Sequence, residues 1–133
     1  MKTLVVAYFG ALISFLVIDA IWLGLVARNF YRDQLGELML PSPNLAVAAV
    51  FDLFFAAAIV ALSVRPGLEH GSVWVAAGYG AVLGLAANGT YDITNISTIK
   101  GWPLTMSTVD MIWGTALTAL GSAAGYNAAR LWG

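Results

Sequence analysis

A chain of 133 residues that is 60% hydrophobic and 10% charged, with a mean hydropathy of +0.83, has the composition of a protein that lives in lipid. A net charge of -1 and six scattered Lys or Arg residues give no basic stripe able to follow a phosphate backbone, so no nucleic acid is expected as a partner. The absence of cysteine removes disulfides, thiol catalysis, iron-sulfur clusters and Cys-type zinc sites together, and the one histidine, His70, cannot supply the nitrogens of a haem pair or a di-iron centre. No metal and no cofactor are implied.

In chain order, the first membrane span is predicted over about 4–26, interrupted only by Ser14 and Asp19. Its length is that of a crossing helix, and no A-x-A-like site follows a short apolar run, so it reads as a permanent span and not a signal peptide. Over 27–40, Arg28, Arg32, Asp33 and Glu37 alternate with Phe30, Tyr31, Leu35, Leu38 and Met39 at roughly helical spacing, which predicts a short interfacial helix. Pro41-Ser42-Pro43 ends it, and Asn44 is placed to cap the next helix. A second span is predicted over about 45–64, with Asp52 inside it and Arg65-Pro66-Gly67 expected to stop it.

The third span, about 73–93, carries Gly80-x-x-x-Gly84, a spacing used where helices approach closely. A loop over 94–105 holds the breaker cluster Lys100-Gly101-Trp102-Pro103. The fourth span, about 106–128, carries Gly121-x-x-x-Gly125. The fold class expected is all-α: one transmembrane domain over 1–133, a four-helix bundle with the short interfacial helix after its first span. Both termini then share one side, side A, and the first and third loops share the other, side B. Arg28, Arg32 and Lys100 on side B balance Lys2, Arg65 and Arg130 on side A, so charge assigns no orientation. The sequons Asn88-Gly89-Thr90 and Asn95-Ile96-Ser97 fall at a membrane boundary and are read as chance matches.

The informative residues are the carboxylates. A charge in hydrocarbon costs several kcal/mol and normally faces a bundle interior or water. At about 1.5 Å per residue, Asp19 lies roughly 6 Å from the centre of its span, Asp52 roughly 4 Å, Asp92 roughly 13 Å and Asp110 roughly 10 Å, all toward side B. Spans 1 and 4 also repeat one motif, Asp19-Ala20-Ile21-Trp22 and Asp110-Met111-Ile112-Trp113. Residues three apart share a helix face. If these antiparallel spans are neighbours, Asp19 falls level with Trp113 and Asp110 with Trp22, each indole N–H being a donor for the opposing carboxylate. Structural roles compete with functional ones at each position. Ser107-x-x-Asp110 has the form of a capping box, Asp92 that of a solvated helix-end residue, and Asp19 and Asp52 could be hydrogen-bonding partners that tie the bundle together.

Several pieces carry a family resemblance: Ile18-Asp19-Ala20-Ile21-Trp22-Leu23-Gly24, Phe30-Tyr31-Arg32-Asp33-Gln34-Leu35-Gly36, Arg65-Pro66-Gly67-Leu68, Thr90-Tyr91-Asp92-Ile93-Thr94-Asn95, Lys100-Gly101-Trp102-Pro103-Leu104 and Val109-Asp110-Met111-Ile112-Trp113-Gly114. Over nearly its whole length the chain resembles the DUF2177 family of small bacterial membrane proteins of unknown function. The resemblance implies a multi-pass protein of the bacterial inner membrane and singles out Asp19, Trp22, Tyr91, Asp92, Thr94, Asn95, Lys100, Trp102, Asp110 and Trp113 as motif positions. Asp52 departs from the family pattern, which has an aromatic or neutral residue nearby.

The expected site is a pocket open to side B that binds or transports a cation, a proton or a small amphipathic ligand. Asp19, Trp22, Tyr91, Asp92, Thr94, Asn95, Asp110 and Trp113 would form it, with Lys100 and Trp102 in support, and converging carboxylates would couple it to protons. An accessory subunit of a larger membrane complex is the alternative, and beyond the lipid bilayer the expected partners are a second copy or such a complex. Catalysis is the weakest reading: there is no nucleophile motif, no His or Cys ligand set and no phosphate-cradling loop.

Overall fold

The computed structural model describes residues 2–22, 33 and 45–133. Among them are four helices and no strand. Helix α1 is Lys2–Ile21. Helix α2 is one continuous run made of Leu45–Ile59, a π-helical turn Val60–Val64, and Arg65–His70. Helix α3 is Val73–Thr98 and α4 is Leu104–Trp132. The interfacial helix expected over 27–40 and the Asn44 cap fall outside the described residues, except Asp33, which is helical.

The bundle is built around α4, which packs most extensively on α3 and then on α1. Its closest helix contacts are made by small residues. Ala7 and Ala11 of α1 meet Gly125 of α4, where an added Cβ would lie 3.0 Å from the Ala7 carbonyl oxygen. Gly80 of α3 faces Ser122, and Gly84 faces the Gly114 carbonyl and Thr118. Phe15, Phe55, Ile59 and Leu117 fill the core beside these contacts, while other large side chains face outward: Phe9, Ile13 and Val17 on α1, Val50 and Phe54 on α2, Val82 and Leu85 on α3, and Ile112 and Leu120 on α4 are all exposed. Small groups at the contacts and large apolar groups outside are what close helix packing in lipid requires, because hydrocarbon offers no hydrophobic drive to bring helices together. By length and composition, Lys2–Ile21 and Ala49–His70 are able to cross a membrane.

Three boundaries differ from expectation, each for a physical reason. Arg65-Pro66-Gly67 does not stop α2. Proline lacks an N–H and would break an α-helical bond, but the preceding π-turn, in which the Arg65 N–H reaches back to the Val60 carbonyl, takes up the misfit. The helix ends at Gly71, whose left-handed φ of 64° a glycine adopts without steric cost. Ser72 then caps α3 by accepting from the Val75 N–H at 3.4 Å.

The third span does not end near residue 93, and the fourth begins two residues earlier than expected. Hydroxyls at Thr90, Ser97, Thr98, Thr108 and Thr115 each donate to the carbonyl four residues back, at 2.6–3.0 Å. A hydroxyl satisfied on its own helix does not end that helix. The expected loop thus shrinks to 99–103.

The α3–α4 seam yields a stability test. In Gly84→Ala, the new methyl meets the Gly114 carbonyl oxygen and lies 2.8 Å from the Thr118 Cβ, and backbone cannot give way. A loss of about 1–3 kcal/mol in reversible unfolding is expected. Gly78→Ala, which meets nothing within 4 Å, should not destabilise the bundle.

Candidate functional site

All four helices contribute to one cavity of about 410 Å³. Asp19 comes from the last turn of α1, Asp52 from α2, Asn88 and Tyr91 from α3, and Asp110, Trp113 and Gly114 from α4. Aromatic rings wall it. Trp22 and Trp113 stack with centroids 4.4 Å apart and planes at 13°. Phe55 contacts Phe15 at 5.7 Å and Phe51 at 5.5 Å. No Lys, Arg or His lines it among the described residues.

Two hydrogen bonds hold the carboxylates in place. The Trp113 indole Nε1 donates to Asp19 Oδ1 at 3.2 Å, the cross-helix pairing expected from the repeated Asp-x-Ile-Trp motif. The Asn88 amide Nδ2 donates to the Asp110 backbone carbonyl at 3.0 Å and to its Oδ2 at 3.3 Å. This second bridge depends on Gly114. A Cβ at that position would overlap the Asn88 amide group, so the glycine after Trp113 leaves the space in which Asn88 crosses from α3 to α4.

Asp110 is not a cap. Helix α4 starts at Leu104 with Pro103 as its N-cap and no side-chain cap bond. Ser107 is buried inside the helix and accepts from the Trp102 Nε1 at 2.8 Å, while Asp110 faces the cavity. Nor is Asp92 a solvated helix-end residue: it is 0% exposed. It does not line the cavity, and both of its carboxyl oxygens are buried without a hydrogen-bond partner among the described residues. Asp52, set apart by the family resemblance, stands in the cavity wall.

Of the residues expected from sequence, Asp19, Trp22, Tyr91, Asp110 and Trp113 converge on the cavity. Trp102 braces it from outside, with its ring edge-on to Tyr91 at 5.9 Å. Thr94 lies instead in an outer groove with Thr90, Ile93 and Met111. Asn95 and Lys100 line no part of the cavity. Sequence reading passed over Asn88, which looked like the start of a chance sequon. Its signal was the spacing Asn88, Asp92, one helical turn on a shared face. Phe15, Phe51 and Phe55 were indistinguishable from lipid-facing filler.

A family model described as a predicted membrane protein (DUF2177) matches residues 4–127. No curated protein and no solved structure matches the chain.

The Trp113–Asp19 bond can be weighed. Trp113→Phe keeps an aromatic ring over Trp22 but leaves Asp19 Oδ1 without its indole donor, and a loss of about 1–3 kcal/mol in unfolding free energy is expected. In a double-mutant cycle with Asp19→Asn, the two losses should fall short of additivity by about 0.5–3 kcal/mol. Trp74→Phe, at an 82% exposed site, should leave stability unchanged.

Proposed function

We propose that this chain, which belongs to the DUF2177 family of predicted membrane proteins, binds an organic cation in the cavity between its helices and acts as a carrier for it. The observation that carries this reading is the placement of Asp19, Asp52 and Asp110, from three different helices, around one aromatic-walled space. A cation gains there twice. Its charge meets carboxylates, and its apolar body meets the faces of Trp22, Trp113 and the phenylalanines, where cation–π attraction adds to apolar burial.

The carrier reading supposes four crossings of the bacterial inner membrane. In support, α3 has 26 residues and α4 has 29, which at about 1.5 Å per residue is roughly 39 and 44 Å, more than the ~30 Å hydrocarbon thickness. Large apolar side chains such as Val82, Leu85, Ile112 and Leu120 face outward on them, and the Thr90 and Thr115 hydroxyls are satisfied on their own helix's carbonyls, as lipid demands. The carboxylates then sit in one half of the bundle, reachable from side B.

Binding is tested with an isosteric pair of probes, tetraphenylphosphonium and tetraphenylborate, by calorimetry on the full chain in lipid nanodiscs. The cation should bind and the anion should not. Asp19→Asn and Asp110→Asn should each weaken cation binding about tenfold, which corresponds to about 1.4 kcal/mol. Glu69→Gln, an exposed change at the opposite end of α2, should leave it unchanged. Equal binding of both probes, or indifference to both aspartate variants, refutes the reading.

A further inference from the structure

The two helical stretches that length and composition suit to crossing a membrane, Lys2–Ile21 and Ala49–His70, do not close on each other along their outer side. A groove of about 470 Å³ runs between them. One wall carries Val5 and Phe9 of α1, a helical turn apart and both exposed, and opposite them stand Ala57 and Ala61 of α2, also a turn apart and exposed. Methyl groups facing larger side chains leave the hollow.

The groove has two unlike ends. At the inner end the Tyr8 ring lines it, and the Tyr8 hydroxyl donates at 2.9 Å to the carbonyl of Leu53, one turn beyond Ala57, which ties α1 to α2 there. At the outer end stands the exposed side chain of Arg65. From Ala57 to Arg65 the groove follows α2 for about 12 Å, at about 1.5 Å per residue. Leu4, which shares the groove with Arg65, is in the first turn of α1. A helix of 20 residues just covers a hydrocarbon layer of roughly 30 Å. Its first turn therefore lies near the headgroups, and Arg65 lies with it.

On the outer side of two spans in a predicted membrane protein, the medium that reaches an apolar groove is the acyl chain of a lipid. Apolar contact does not choose among lipids, since their chains are alike. Arg65 supplies the choice. A guanidinium presents its N–H donors to phosphate oxygens in a planar fork, and a phospholipid with no ammonium of its own brings a net negative charge to that fork. The apolar body and the anionic head of one molecule thus match the two parts of the groove.

We propose that this groove is a lipid site, holding an acyl chain of an anionic phospholipid between α1 and α2 with its phosphate on the Arg65 guanidinium. The site shares no residue with the cavity that Asp19, Asp52 and Asp110 line. It stands or falls independently of the cation-binding reading.

The full chain is placed in phosphatidylcholine nanodiscs doped with one photoactivatable lipid at a time, phosphatidylglycerol or phosphatidylcholine with a diazirine in its acyl chain, and crosslinked peptides are mapped by mass spectrometry. In wild type the label should concentrate on residues 4–9 and 57–65. Phosphatidylglycerol should label them about fivefold more than phosphatidylcholine, the preference one basic side chain provides at the headgroups. Arg65→Gln should bring the two lipids to equal labelling. Ala61→Phe, which sets a ring at an exposed position inside the groove, should remove the label of both lipids from these segments. Arg130→Gln deletes the same charge at the same end of the bundle, where the Thr3 hydroxyl donates to the Gly133 carbonyl, but lies outside the groove, and should keep the wild-type preference. Label spread evenly around the bundle, equal labelling by the two lipids in wild type, or a loss of preference in Arg130→Gln matching that in Arg65→Gln overturns the site. So does exclusion of both lipids from the groove in a sample with the mass of a dimer, which gives the groove to a second copy.

Discussion

The close approach of α3 to α4 is the constraint on which the rest of the structure depends. The two helices meet at Gly84 and Gly114, where a side chain on either would overlap the other helix's backbone or the Asn88 amide. This contact does more than pack. By bringing the α3 face so near, it lets the short side chain of Asn88 reach the Asp110 backbone carbonyl and carboxylate together, and it carries Asp92 into full burial one turn later. A methyl group at Gly114 would therefore act on the site's chemistry as directly as on its packing. The seam and the site are one structural feature.

On the opposite side of α4, the contact with α1 uses the same device at Ala7, Ala11 and Gly125, and its polar consequence is the bond from Trp113 to Asp19. Helix α4 thus stands between two acid-bearing faces. It contributes an acid of its own, Asp110, and an indole that satisfies the acid of its neighbour. The stacking of Trp22 on Trp113 at 4.4 Å fixes the plane of the donor ring, so the hydrogen bond and the aromatic wall are set by the same pair of side chains.

Much of this was legible in the sequence. The repeated Asp-x-Ile-Trp motif, read with antiparallel geometry, placed Asp19 level with Trp113, and hydropathy with glycine spacing gave the helical bundle and its closely packed faces. The failures share a cause. Arg65-Pro66-Gly67 and the hydroxyl-rich stretch after Asn88 read as helix ends, and Ser107-x-x-Asp110 offers a capping box as one alternative, because in water such residues compete with the helix for its backbone partners. In this bundle Pro66 is accommodated by a π-turn, the hydroxyls bond back to their own carbonyls, and Ser107 is bound by Trp102. Asn88 was missed for a different reason. Its spacing to Asp92 marks a shared face, but its reach to Asp110 depends on the absence of a side chain at Gly114, 26 residues away, which local spacing does not convey.

Magnitudes show what it costs to keep these acids inside the bundle. Taking a carboxylate out of water still costs several kcal/mol after the protein relaxes, whereas a hydrogen bond to a charged group returns about 1.5–3 kcal/mol. Asp19 has the Trp113 indole and Asp110 has the Asn88 amide, while Asp92 has no donor at all. Those bonds orient the acids. No lysine, arginine or histidine among the described residues lines the space. A bundle needing only internal cohesion would obtain it more cheaply from leucine at these positions. Three acids around an aromatic-walled cavity are what leucine could not provide, and the cation-binding proposal rests on their placement.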